Sequence, residues 1–245
     1  MLKAWNSRTK SDYTVKSYSK IGLTSIWDGI ENEGFRKHSD NPSTWNDLVG
    51  GNVLIPYGTG IAYGDTYVSI TPSRTCYFLS ESNRILDGFD SITVEFVADA
   101  SNVTGFLVCF AFRKNSSNNR IHFNRQPNDI LVPVVGTGES GGISPDTLPQ
   151  FDISNTRHSC LTVDRNQNVV FYTNGTETGT ASLINFSNIV NMQSRLGICI
   201  VGDWGETYVN VGTLKIYCMR IYNRSLTASE IAANYAVDKA RFGLT

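Results

Sequence analysis

Residues Gly212 to Phe242, GTLKIYCMRIYNRSLTASEIAANYAVDKARF, hold a strand, a corner and a capped helix in one run. From Val211 to Tyr222 β-branched and aromatic residues dominate. Alternation predicts Leu214, Ile216 and Cys218 on one face and Lys215, Tyr217 and Met219 on the other. Apolar residues on both sides predict a strand covered at least in part on both faces. The period changes at Ser225. Thr227, followed three residues later by Glu230, forms a capping box: the Thr227 hydroxyl accepts from the Glu230 amide, and the Glu230 carboxylate accepts from the Thr227 amide. Leu226 and Ile231 flank the cap as a hydrophobic staple. Ile231, Tyr235 and Phe242 fall roughly on one helical face, so a short helix is expected to fold back onto a β body with that side down.

Within this run RIYNRSLTASEIAANY resembles the closing strand and helix of laminin-G-like, concanavalin A-like lectin/glucanase domains. Two further stretches agree. GLTSIWDGIENEG and STWNDLVGGN, between Gly22 and Asn52, resemble the opening of such domains in proteins of gut bacteria and their phages. HSCLTVDRNQNVVFYTNGTETG, His158 to Gly179, resembles their central hairpin. The resemblance implies an all-β fold, a two-sheet antiparallel jelly-roll sandwich with a short C-terminal helix. It implies a lectin-like role without naming a ligand, because one fold hosts many functions.

Composition bounds the rest. Glycine at 21 positions and aromatics at 11% suit many strands joined by tight loops, and no linker divides the 245 residues. The expected organisation is an N-terminal arm over 1–20 and one sandwich over 21–245. The net charge of −1 gives no broad basic field for nucleic acid or anionic lipid. MLKAWNSRTKSDYTVKSYSK at the N-terminus lacks a secretory apolar core, and no run is long and apolar enough to insert in a membrane. The chain is therefore expected to be made in the cytoplasm without a signal peptide and to act on a virion or at a cell surface. Cys76, Cys109, Cys160, Cys199 and Cys218 are odd in number, widely spaced and mostly set in apolar runs, which predicts buried free thiols formed under reducing conditions.

The arm has two readings, a frayed terminus or a segment that docks on a neighbouring subunit or another virion protein through Trp5, Tyr13 and Tyr18. Strands are expected over 21–30, 53–57, 67–71, 75–79, 90–98, 105–113, 121–125, 130–135, 158–164, 169–173 and 196–201, with a loop over 31–52. Alternation in Ile92-Thr93-Val94-Glu95-Phe96 predicts one buried and one solvated face, Glu95 on the latter. The continuous apolar run Phe106 to Phe112 predicts a strand covered on both sides. Asn174-Gly175 marks a tight turn.

A glycosidase of this fold needs two carboxylates about 5–10 Å apart across the scissile bond. In the hydrolase branch they sit in an ExDxxE pattern, which is absent. Glu95 and Asp99, four apart, come nearest, so no catalytic residue is assigned. His38, His122 and His158 lack a nearby Ser or Cys nucleophile in any known catalytic arrangement, and a triad assembled in space stays open at this point. Gly136-x-Gly138-x-x-Gly141 has dinucleotide-turn spacing, but Pro145 and Pro149 stand where its helix must run, and it is read as a chance match. Asp28, Asp47 and Asn52 offer oxygens to calcium, but they lack a calcium-loop pattern and read equally as turn residues, so no metal or other cofactor is assigned. Trp27 and Trp45 read as core aromatics.

Asp203, Trp204 and Tyr208 lie in a Gly-flanked polar stretch. There an indole can stack on a sugar while the carboxylate accepts its hydroxyl hydrogens, so these three form the expected carbohydrate-binding site. The leading functional expectation is a non-catalytic lectin-like surface or assembly module of a phage or prophage virion, with a glycan as ligand. The alternatives are a carbohydrate-binding module of a bacterial secreted or surface protein, and a glycoside hydrolase with displaced carboxylates.

Overall fold

The computed structural model describes residues 14–113, 119–126, 130–137, 157–183, 185–200 and 212–244. In chain order the strands are β1 Leu23–Asp28, β2 Trp45–Asn46, β3 Val53–Tyr57, β4 Ile61–Tyr63, β5 Val68–Ile70, β6 Tyr77–Ser80, β7 Ile92–Val103, β8 Leu107–Arg113, β9 Asn119–Gln126 and β10 Ile130–Thr137. They continue with β11 Arg157–Val163, β12 Asn168–Thr173, β13 Thr176–Ser182, β14 Leu196–Ile198 and β15 Gly212–Tyr222. Helix α1, Ser187–Val190, precedes β14, and α2, Ala228–Phe242, follows β15.

Two antiparallel sheets result. One runs β13-β12-β11-β7-β15-β5-β4, with β1 alongside the second half of β15, and the other runs β10-β9-β8-β14-β6-β3-β2. The expected two-layer sandwich with one closing helix is what forms. Phe96 from the first sheet meets Phe110 and Phe123 from the second at ring separations of 5.9 and 5.7 Å, and Phe112 packs edge-on to Phe110. Each such pair adds about 0.5–1.5 kcal/mol beyond the area it buries. Trp27 and Trp45 are fully buried in the same core.

The expected strands are present, most of them shifted by a residue or two at their ends, while β7 runs past the expected end at Ala98 to Val103 and β14 stops at Ile198. The segment expected as loop contains the two-residue β2, which is too short to carry a period. β13 went unforeseen because TETGTAS is polar and half exposed, as an edge strand tolerates. Its hairpin with β12 turns at Asn174 (φ 50°) and Gly175 (φ 74°), both left-handed as a primed turn demands.

Three expectations about faces need correction. In β15 the register shifts between Ile216 and Cys218. Leu214 and Ile216 point into the sandwich, Cys218 joins the outer cluster with Tyr217, and Met219 and Ile221 point inward again. A bulge inserts one residue and inverts the parity beyond it, so strict alternation fails. In β7 the face expected to be solvated is closed: Thr93 and Glu95 are fully buried. The face α2 turns down carries Asn234, Asp238 and Arg241 with Ile231 and Val237, while Tyr235 and Phe242 are only partly covered. Helix and sheet meet through polar groups as well as apolar ones.

The capping box at Thr227 and Glu230 forms as read, and Leu226 and Ile231 share one buried cluster. Gly243, at φ 68°, ends the helix in the left-handed conformation. All five cysteines are free and buried.

Candidate functional site

Beneath α2 lies a water-excluded ionic network. Arg220 donates through Nε to Glu95 (2.6 Å) and through Nη1 and Nη2 to Asp238 (2.7 and 2.6 Å). His158 Nε2 lies 3.1 Å from the other Glu95 oxygen, and the Asn234 amide donates to Glu95 at 2.9 Å and to the Tyr222 hydroxyl at 3.0 Å. Burial pushes the Glu95 carboxyl up, but Arg220 and His158 outweigh it and hold it down at about 2. The expectation of a solvated Glu95 is thus overturned, because α2 covers it and an arginine compensates its charge. A carboxylate so engaged is not available to protonate a glycosidic oxygen or to attack an anomeric carbon.

The network extends to β1 and the N-terminal segment. Arg241 donates to both Asp28 oxygens at 2.7 and 3.0 Å and to the Tyr18 hydroxyl at 2.9 Å, and that hydroxyl donates to Asp238 at 2.7 Å. Tyr18, expected as an anchor on a neighbouring subunit, is here buried against α2 of its own chain. Trp5 and Tyr13 lie outside the described residues. Asp28 also accepts from the amides of Ile30 and Glu31, and Asp47 from those of Ile26 and Val49 and from the Asn52 side chain. These groups brace the corner after β1, and their oxygens are engaged by the protein's own donors, as the turn reading expects.

On the outward side of the second sheet His122 and Asn124 are buried beside each other, 3.4 Å between Nε2 and the amide nitrogen. Burial, reinforced by Arg120 and Arg113, depresses His122 to about 3, so the ring is neutral at physiological pH. No hydroxyl or thiol is within hydrogen-bonding reach of His38, His122 or His158 among the described residues.

At one end of the sandwich three connections converge: the loop before β7, the β11–β12 turn, and the segment leading into α1. They enclose an open cleft of about 410 Å³ lined by Gly88, Phe89, Asp90, Arg165, Gln167, Asn185, Phe186, Ser187, Val190 and Asn191. The walls are fixed from below. Gln167, left-handed at φ 64°, accepts from the Leu183 amide through its carbonyl and from the Phe186 amide through its side chain, at 2.8 and 2.9 Å. Asn185 is also left-handed, at φ 59°, and Ile189 and Val190 anchor α1 in the core. Asp90 and Arg165 pair at 2.7 Å across the mouth, both more than half exposed.

Amides, a carboxylate, a guanidinium and the Phe89 ring offer the donors, acceptors and apolar face that a sugar presents in complement. Among the described residues the lining holds one carboxylate, Asp90, where hydrolysis by paired acids needs two. Sequence reasoning missed this cleft because its walls come from three separated stretches that only the topology joins. The expected binding residues Asp203, Trp204 and Tyr208 lie outside the described residues, as do Gly138 and Gly141 of the glycine-spaced stretch; Gly136 falls in β10.

A family model described as the Concanavalin A-like lectin/glucanases superfamily matches residues 64–232. No curated protein matches the chain in sequence. Among solved structures, Trypanosoma rangeli sialidase aligns with a TM-score of 0.59 at 14% identity over 89% of this chain and 33% of that one. The binding domain of botulinum neurotoxin serotype D/C aligns at 0.62 and 12%, over 88% of this chain and 52% of the other. The binding domain of Paraclostridial Mosquitocidal Protein 1 aligns at 0.62 and 14%, over 87% and 52%. The chain thus spans about one third to about half the length of these structures, and at such identities the likeness concerns the fold. With the family model covering more than half of the chain and the two-sheet topology in place, the chain belongs to the Concanavalin A-like lectin/glucanases superfamily.

Proposed function

We propose that the chain is a non-catalytic, lectin-like binding module that holds a glycan at the loop end of the sandwich, as a surface or assembly component of a phage or prophage virion. The observation that carries the binding reading is the cleft of Phe89, Asp90, Arg165, Asn185 and Asn191, polar, open and rigidly backed. The non-catalytic part is supported by the chemistry of the carboxylates nearest a glycosidase pattern. Glu95 is locked to Arg220 under α2, and Asp99 lies 3.5 Å from Lys215. The virion part is supported by the resemblance of the opening stretch to that of such domains in proteins of gut bacteria and their phages. A carbohydrate-binding module of a bacterial surface protein uses the same cleft and differs in acting as a monomer.

Asp203, Trp204 and Tyr208 form a second proposed contact with the glycan. The test is a glycan array probed with the full chain, with Asn185→Gly/Asn191→Ala, and with Trp204→Ala. Glycine at 185 keeps the left-handed backbone while removing the amide. Loss of a specific glycan signal in the double variant, at unchanged melting temperature, supports the cleft. Loss confined to Trp204→Ala moves the site to the second position, and no signal from any variant or from the parent chain refutes the lectin reading.

A further inference from the structure

The long loop after β1 and the β4–β5 turn meet at a place remote from the cleft. Gly29 permits the meeting: a Cβ there would stand 2.6 Å from the Tyr67 Cα and 2.7 Å from the Thr66 carbonyl oxygen, so only glycine allows the backbones this close. A tight turn from Gly34 to Lys37, closed by the Lys37 amide on the Gly34 carbonyl at 2.8 Å, then delivers His38. Next to it Ser39 is held on both sides by Asn32, whose amide nitrogen donates to the Ser39 carbonyl and whose oxygen accepts from the Ser39 amide. Across the gap the Gly64 amide donates to the Tyr67 carbonyl and closes the turn that carries Asp65.

His38 is 2% exposed, and its Nδ1 lies 2.8 Å from the Ile30 carbonyl oxygen. A carbonyl only accepts, so Nδ1 carries a proton, and in the neutral ring the lone pair is then on Nε2. That Nε2 is buried and makes no hydrogen bond. It faces two carboxylates, with Asp40 Oδ1 at 3.3 Å, and one donor atom from each of His38, Asp40 and Asp65 lies within 4.8 Å of the others. A neutral imidazole with its second nitrogen fixed by a carbonyl is the arrangement in which histidine ligates a metal. Ligands each about 2.0–2.2 Å from one ion stand about 3.3–3.6 Å apart in a tetrahedral shell, the separation His38 Nε2 and Asp40 Oδ1 already have, and the exposed Asp65 side chain moves in to complete it.

We propose that His38, Asp40 and Asp65 form a binding site for a divalent transition metal of the zinc class. The imidazole nitrogen selects against calcium and magnesium, which prefer all-oxygen shells, and in favour of zinc and its neighbours. Three protein ligands leave a tetrahedral ion one open position, and the exposure of Asp40 and Asp65 turns that position to solvent. The ion ties the β1–β2 loop to the β4–β5 hairpin at an edge of the first sheet.

The test is calorimetric titration of the full chain with zinc chloride, repeated with His38→Asn and Asp65→Asn. Asparagine at 38 places an amide N–H where Nδ1–H stands and keeps the bond to the Ile30 carbonyl, while removing Nε2. Circular dichroism melting without metal establishes that both variants fold as the parent does. The expected result is one zinc per chain, with affinity falling at least about tenfold in each variant, the scale on which losing ligand interactions weakens metal sites. A visible band of four-coordinate cobalt(II) is expected in the parent chain and absent from both variants. Failure of the parent to bind zinc, or parent-like affinity in either variant, overturns the proposal.

Discussion

Arg220 on β15 presents two guanidinium nitrogens to the two carboxylate oxygens of Asp238 on α2, at 2.7 and 2.6 Å, and both side chains are shut away from water. The pair joins the last strand to the helix that follows it, and through Tyr18 and Arg241 it reaches the N-terminal segment and β1. Desolvating these charges is costly, and the bidentate geometry with Glu95 as second partner offsets that cost.

Breaking one side of the pair strips a buried charge of a bidentate partner. Asp238→Asn is expected to cost about 3–5 kcal/mol, and Arg220→Met a similar amount, because Glu95 and Asp238 then both lose their cation. Urea unfolding followed by tryptophan fluorescence measures this. A loss under about 1 kcal/mol in either variant would show that the helix is held by its apolar contacts alone.

Glu31 sets a pH dependence of the opposite sense to that of ordinary acid unfolding. Burial, with Asp28 nearby, raises its carboxyl from an ordinary 4.5 to about 7. The folded state therefore binds the extra proton between those values, and the stability it confers at low pH is lost as pH rises through about 7. The gap corresponds to at most about 3 kcal/mol. Glu31→Gln keeps an oxygen for the Arg36 amide and is expected to raise the urea midpoint at pH 8 and leave it nearly unchanged at pH 5. Equal effects at both values would place the proton elsewhere.

The thiols are expected to be silent in the native protein. Burial raises Cys109 to about 12 and Cys160, Cys199 and Cys218 well above the usual thiol range, and Cys76 is raised as well. Ellman's reagent at pH 8 should label none in the folded chain and five after denaturation. Fewer than five after denaturation without reductant would reveal a disulfide.

The arm prediction divides at residue 13. Since Tyr18 holds α2, deleting 1–18 would damage the fold itself, whereas deleting 1–13 leaves the network in place. If the arm docks on another copy, that shorter deletion lowers the oligomer mass in light scattering without lowering the melting temperature. An unchanged mass dismisses the arm as an oligomer contact.

What was legible in the sequence was local. Thr227 and Glu230 announce a helix start by spacing alone, Asn174-Gly175 a hairpin, and five unpaired cysteines in apolar runs a reduced core. Glu95 was misread because its cover, α2, arrives about 135 residues later, and alternation within β7 cannot sense what lies above a face. The parity of Cys218 was misread because a bulge leaves no compositional mark. The cleft and the His38 cluster were invisible for a further reason: Asp90, Arg165 and Asn185, or His38 and Asp65, become neighbours only when separate loops are brought to one end or one edge. Periodicity identifies elements, and sites made by convergence of loops follow from topology.

The most direct test of the central claim is mass spectrometry of the glycan selected on the array after prolonged incubation with the full chain. The account predicts that the sugar is retained by the parent chain, released by Asn185→Gly/Asn191→Ala, and recovered at unaltered mass. A hydrolysed product that vanishes when acidic residues are replaced would contradict it, and so would retention undiminished in the double variant and in Trp204→Ala alike.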